Sequence, residues 1–150
     1  MIKKFSKLII IFLFLSNCGY TPIYSNVNND INIEVLSFTG DKRINSRLLQ
    51  KLKRNKNSNS KTFKIKIVTQ YNKQEVSRDL TGNIESFELN VTIDFEVSTT
   101  DKNSKFSISE NFIIENFNDE FSELNYENKI KDNTVDLIYQ KLINRLIRFK

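Results

Sequence analysis

The side chains able to do chemistry are unevenly supplied in this 150-residue chain. Histidine is absent, and cysteine occurs once, as Cys18. Histidine- and thiol-based nucleophilic catalysis is therefore not expected, and a zinc site lacks its best ligands. Carboxylates crowd at Glu115, Asp119, Glu120 and Glu123, but their spacing is that of a solvated segment and not of an acid–base pair. There is no glycine-rich phosphate loop and no nucleophile elbow. The expectation is a protein that is not an enzyme and uses no metal or organic cofactor. Cations are better supplied. Arg47, Lys51, Lys53, Arg54, Lys56 and Lys61 fall close together, and Lys64 and Lys66 alternate just beyond them. Grouped guanidinium and ammonium groups make charge-assisted hydrogen bonds to phosphates and other anions. Arg47, Lys51, Lys53, Arg54, Lys64 and Lys66 are thus the candidate anion-binding set. Two plainer roles compete with it. Lys64 and Lys66 can pair across strands with Glu88, Asp94 and Glu96, and the others can form a solvated helix face and a basic loop.

Cys18 draws its meaning from what precedes it. Lys3, Lys4 and Lys7 lead into the apolar run Leu8–Leu15, followed by Ser16 and Asn17. A basic n-region and a short apolar h-region are the layout of a secretory signal. Eight apolar residues cover only about 12 Å as a helix, far short of the ~30 Å hydrocarbon layer. Leu15-Ser16-Asn17-Cys18 resembles the lipobox of bacterial lipoproteins, with Asn17 where Gly, Ala or Ser is usual. That resemblance implies a diacylglyceryl group on Cys18, cleavage before it and acylation of the new amine. Residues 1–17 are then the signal peptide and residues 18–30 a lipidated tether. By the same resemblance, the non-acidic Gly19 favours the outer membrane over inner-membrane retention.

The remaining residues suffice for one domain with a real core. The chain has 23 Lys and Arg against 18 Asp and Glu, but three of the lysines lie in the leader. The rest is only mildly basic, so net charge does not argue for nucleic acid. A single cysteine also forbids an internal disulfide.

Residues 31–150 read as that domain. Ile31, Ile33 and Val35 alternate with polar residues as in a strand, and Leu36 and Phe38 switch the phase. Asp41 suits a helix N-cap. Ile44, Leu48, Leu49 and Leu52 give an amphipathic helix over about residues 41–54. Phe63 to Tyr71 alternates as a second strand, and residues 72–83 are polar and turn-like. Phe87 to Val97 is a third strand, and Phe106 to Ile114 a fourth, with a bulge expected near Glu110 to give Ile113 cover. Residues 119–149 read as one long helix or two in series. Phe121 and Leu124 open its seam, Ile130, Val135, Ile138, Leu142, Leu146 and Phe149 carry it, and Leu137, Ile143 and Ile147 widen it. The order β-α-β-β-β-α predicts an α+β fold. Two helices pack on one face of a four-stranded, mostly antiparallel but mixed sheet, the first strand joining in parallel.

Cys18-Gly19-Tyr20-Thr21-Pro22-Ile23-Tyr24 resembles the segment after the lipobox in LPS-assembly lipoproteins of the LptE family, alphaproteobacterial type. The element order agrees with that family across the rest of the chain. The resemblance implies an outer-membrane lipoprotein on the periplasmic side. It would plug and help assemble the LPS-translocon β-barrel, an LptD-like partner, and assist insertion of lipopolysaccharide into the outer leaflet without a reaction of its own. The alternative is a periplasm-facing lipoprotein serving as an accessory or binding subunit of another envelope complex.

Overall fold

The computed structural model describes residues 31–54, 61–117 and 119–149. In chain order these form β1 (Ile31–Gly40), α1 (Lys42–Leu52), β2 (Lys61–Arg78), β3 (Ile84–Ser98), β4 (Asn103–Glu115) and α2 (Glu120–Arg148). The sheet order is β1-β2-β3-β4. β1 runs parallel to β2, and β2, β3 and β4 are successive antiparallel neighbours. This is the expected mixed sheet.

Alternation decides which face is covered. Phe63, Ile65 and Ile67 of β2 and Val91, Ile93, Phe95 and Val97 of β3 point to one side and are buried. Ile44, Leu48 and Leu52 of α1 and Val135, Ile138, Leu142 and Leu146 of α2 cover them. Removing such side chains from water is the main favourable contribution to the fold. The other face is mostly polar: Gln70 donates to Asp94, Ser107 bonds Asp94, and Thr92 meets Ser109 at 2.8 Å, with Val68 and Ile113 exposed among them.

Three expectations are corrected in the strands. β2 continues to Arg78, through residues read as polar and turn-like, because the backbone of β3 from Ile84 onward supplies their partners. The turn itself is confined to the stretch around Asp79. The Asp79 carboxylate accepts the amides of Thr81 (2.8 Å) and Asn83 (2.9 Å). β4 pairs with β3 without interruption from Asn103 to Glu115, so there is no bulge at Glu110. Glu110 needs none, because Lys141 of α2 forms an ion pair with it. Ile113 stays exposed instead. The irregularity in β1 lies between Val35 and Ser37, at the phase switch, and brings Phe38 into register with Ile67.

Gly40 closes β1 at φ 101°, where a Cβ would stand 1.8 Å from the Thr69 carbonyl oxygen. Only glycine fits that approach. Asp41 caps α1 as expected, accepting the Ile44 amide at 2.9 Å. α2 is one helix of 29 residues, about 44 Å long. Asp119 caps it by accepting the Ser122 amide at 2.8 Å. Leu137, expected in its seam, is exposed, as are Phe121 and Leu124.

Candidate functional site

The candidate cations are distributed over both sides of the sheet. Arg47, Lys51, Lys53 and Arg54 belong to α1 and its C-terminal end, on the helix-covered side. Lys64 and Lys66 alternate with the buried Phe63, Ile65 and Ile67 and so project from the opposite face. Stacked layers lie ~10 Å apart, so the six do not converge on one ligand. Lys51 is committed to Asp136 at 2.8 Å and lies over the Tyr139 ring. Lys66 is bound to Glu96 at 3.5 Å, and Lys105 reaches the same carboxylate at 3.4 Å. These two lysines hold the Glu96 carboxyl below its ordinary range. The cross-strand role therefore accounts for Lys66. It also neutralises the open groove on that face, where Lys66, Asp94, Glu96, Lys105 and Ser107 form part of the lining. Arg47, Lys53, Arg54 and Lys64 are exposed and make no ion pair among the described residues. Cys18 and Lys56 lie outside the described residues.

The most developed polar site was not foreseen. It sits between β2 and the first half of α2. Lys73 of β2 forms ion pairs with Glu123 and with Glu127 (3.3 Å). Lys131 joins Glu127 (3.2 Å) to Asp41, the α1 cap (3.2 Å). The Lys131 ammonium lies 3.7 Å above the Tyr71 ring, and the Lys73 ammonium 4.5 Å from the Phe87 ring centroid. Of the five charged side chains only Lys73 is more than about a fifth exposed, at 24%. Burial alone would neutralise such groups. Burial of Lys73 works against its charge, but Glu123 and Glu127 outweigh it and raise its pKa above the ordinary lysine value. Burial of Glu127 is likewise outweighed by Tyr71, Lys131 and Lys73, so its carboxyl titrates low. The same balance, with the Ile44 amide and Lys131 opposing burial, keeps Asp41 low. Burial and the facing Glu127 carboxylate hold the proton on Tyr71.

The sequence signal for this site was the i, i+4 spacing of Glu123, Glu127 and Lys131. Continued, that row meets Val135, Ile138, Leu142 and Leu146, the buried face of the same helix. One face of α2 is thus charged in its first half and apolar in its second. The charges are mutually satisfied, which suits a clamp between elements better than a reactive centre. Among the described residues no group of acidic, histidine or cysteine side chains is arranged to hold a metal ion. Nor is any described helix long and apolar enough to cross a membrane.

The fold defines a class: a two-helix layer on one face of a four-stranded mixed sheet. Among solved structures, the chain is similar to rare lipoprotein B from Shewanella oneidensis, with TM-score 0.63 and 15% identity over 78% of this chain and 97% of that one. It is also similar to a protein described as uncharacterized lipoprotein B from Nitrosomonas europaea, with TM-score 0.51 and 17% identity over 78% and 87% of the two chains. At these identities the likeness is one of fold. No protein-family model matches the sequence. No curated protein matches it.

Proposed function

We propose that this chain is an outer-membrane lipoprotein, anchored through Cys18 on the periplasmic side. It plugs and helps assemble the LPS-translocon β-barrel and assists passage of lipopolysaccharide, without catalysis. One observation carries the reading. The lipobox-like Leu15–Cys18 and the Cys18–Tyr24 segment stand directly before a domain whose fold is that of two bacterial lipoproteins.

Physical features of the domain support a plug. β2 has 18 residues, roughly 55–60 Å of strand, which exceeds the ~30 Å hydrocarbon thickness a barrel must cross. The uncovered sheet face is mostly polar and internally hydrogen-bonded, with Val68 and Ile113 as exposed apolar exceptions, which suits the polar interior of a large barrel better than lipid. The unpaired Arg47 and Lys64 remain available for phosphates of lipopolysaccharide.

The test is purification of the tagged protein from native outer membranes in detergent, with mass analysis of its N-terminus and partners. The expected result is a lipid-modified Cys18 and one stoichiometric barrel protein. A modified Cys18 without a barrel would replace the plug by an accessory lipoprotein of another envelope complex. An intact Met1 end would remove the anchor itself.

A further inference from the structure

Cations at one end of the domain differ from those along its body. Along the body most are neutralised, Arg43 by Asp132, Lys51 by Asp136, Lys66 by Glu96, Lys73 by Glu123, Lys131 by Glu127 and Lys141 by Glu110, while Lys42, Arg47 and Lys129 are exposed there without an ion pair among the described residues. At the end where β1 and β2 begin, Lys53, Arg54, Lys61, Lys102, Arg145 and Arg148 are all exposed. None of these six makes an ion pair among the described residues. They come from four separate places: the end of α1, the start of β2, the β3–β4 turn and the end of α2. The strand register brings the start of β2 level with the β3–β4 turn. The contact of Phe149 with Phe63 brings the end of α2 to the same level. Acidic groups there are few: Asp101 in the turn, and Glu34 beside Lys64 on the sheet. The opposite end is acidic, with Glu75, Asp79, Glu85, Glu115, Asp119 and Glu120 around the β2–β3 turn and the start of α2.

Helix dipoles account for part of this. Lys53, Arg54, Arg145 and Arg148 sit at helix C-termini, where cations are favoured. Lys61 and Lys102 are on a strand and a turn, and no dipole favours them. Like charges gathered without counter-charges repel one another, and an anionic surface would relieve that repulsion in one contact. β1 also begins at this end, so the polypeptide arrives here from Cys18. The twelve residues between Cys18 and Ile31 reach at most about 45 Å.

We infer that this end of the domain docks on an anionic lipid headgroup surface, with the acidic end pointing away from it. The anchor reading enters only through the distance to the bilayer, since the charge belongs to the domain itself. Each basic residue at such a surface strengthens binding roughly five-fold. The test uses residues 19–150 without lipid, because every described core side chain lies between Ile31 and Leu146. Binding is read by co-sedimentation with vesicles of phosphatidylcholine containing phosphatidylglycerol, and with phosphatidylcholine alone. Circular dichroism confirms that each variant is folded. Binding is expected to the anionic vesicles only and to fade at high salt. The pair Lys61→Glu and Lys102→Glu should weaken it at least twenty-five-fold, taking roughly five-fold per charge. The pair Lys42→Glu and Lys129→Glu changes net charge equally, elsewhere on the surface, and should weaken it far less. Equal weakening by both pairs, or equal binding to neutral vesicles, would overturn the inference. So would full competition by inorganic phosphate at constant ionic strength, which marks a discrete anion site. None of these outcomes depends on whether Cys18 is lipidated, which the N-terminal mass decides separately.

Discussion

Gly40 and Lys131 show how single side chains, present or missing, hold this domain together. At Gly40 a methyl group would enter the Thr69 carbonyl at 1.8 Å, while at Gly82, also at positive φ, nothing lies within 4 Å. Gly40→Ala is therefore expected to cost more than ~3 kcal/mol, through both a backbone clash and an unfavourable φ, and Gly82→Ala about 1 kcal/mol. Urea denaturation of the two variants checks the difference. Among the described residues Lys131 is the one cation joining α1's cap to the first half of α2. Lys131→Met leaves Asp41 and Glu127 with less compensation for their burial and should cost roughly 2 kcal/mol. Adding Glu127→Gln removes one of the stranded charges. The double variant should thus lose clearly less than the sum of the two singles, a coupling that a double-mutant cycle measures.

At the scale of elements, α2 is two helices energetically, although geometrically it is one. Its second half buries Val135, Ile138, Leu142 and Leu146, while Glu123, Glu127 and Lys131 hold its first half. The two halves should respond differently to pH. Asp41 and Glu127 titrate below their ordinary values of 3.8 and 4.5. Their contribution is therefore present above those values and is lost as pH falls through the lower folded values. Lys73 titrates above its ordinary 10.5, so its contribution is present below that value and is lost as pH rises beyond it. Amide protection factors, taken relative to the intrinsic exchange rate at each pH, should fall in residues 123–133 on acidification below about pH 4 before those of residues 135–146 follow. Simultaneous loss of protection in both halves would show that the clamp is not a separate unit. Truncation offers a second contrast. Leu142→Ala empties a fully buried position and should cost about 3–4 kcal/mol, whereas Leu124→Ala, more than half exposed, should cost under ~0.5 kcal/mol.

For the molecule as a whole, one core cluster draws side chains from all six elements. The far-UV signal and tyrosine fluorescence should therefore lose structure in one coincident transition in denaturant. Phe95, in the third strand with its ring centroid 5.5 Å from that of Phe106, is the central test. Phe95→Ala should cost about 3–5 kcal/mol and shift both signals together. Separate shifts would mean that helices and sheet unfold independently. Charge is the molecule's second global property. It is largely balanced along the body and unbalanced between the two ends, an asymmetry that an overall count of basic and acidic residues hides.

Local periodicity determined much of this protein. Period-two alternation gave the faces of all four strands, helical spacing gave both helices, and Asp41 announced its cap, because each depends on neighbours within a turn or two. The expected leader and lipidated Cys18 rest on a linear pattern alone and lie outside the described residues. Tertiary structure decided the rest. The polar end of β2 became strand only because β3 lay beside it to satisfy its backbone. Glu110 could stay in a regular strand only because Lys141 reached it from α2. The candidate cations looked continuous along the chain, yet the sheet separates Lys64 and Lys66 from α1, since successive strand residues face opposite ways. Conversely, Lys61, Lys102 and Arg148 are far apart in sequence, and strand register and helix packing bring them to one end. Sequence distance carries no information about such gatherings, because long-range pairing alone sets which charges become neighbours.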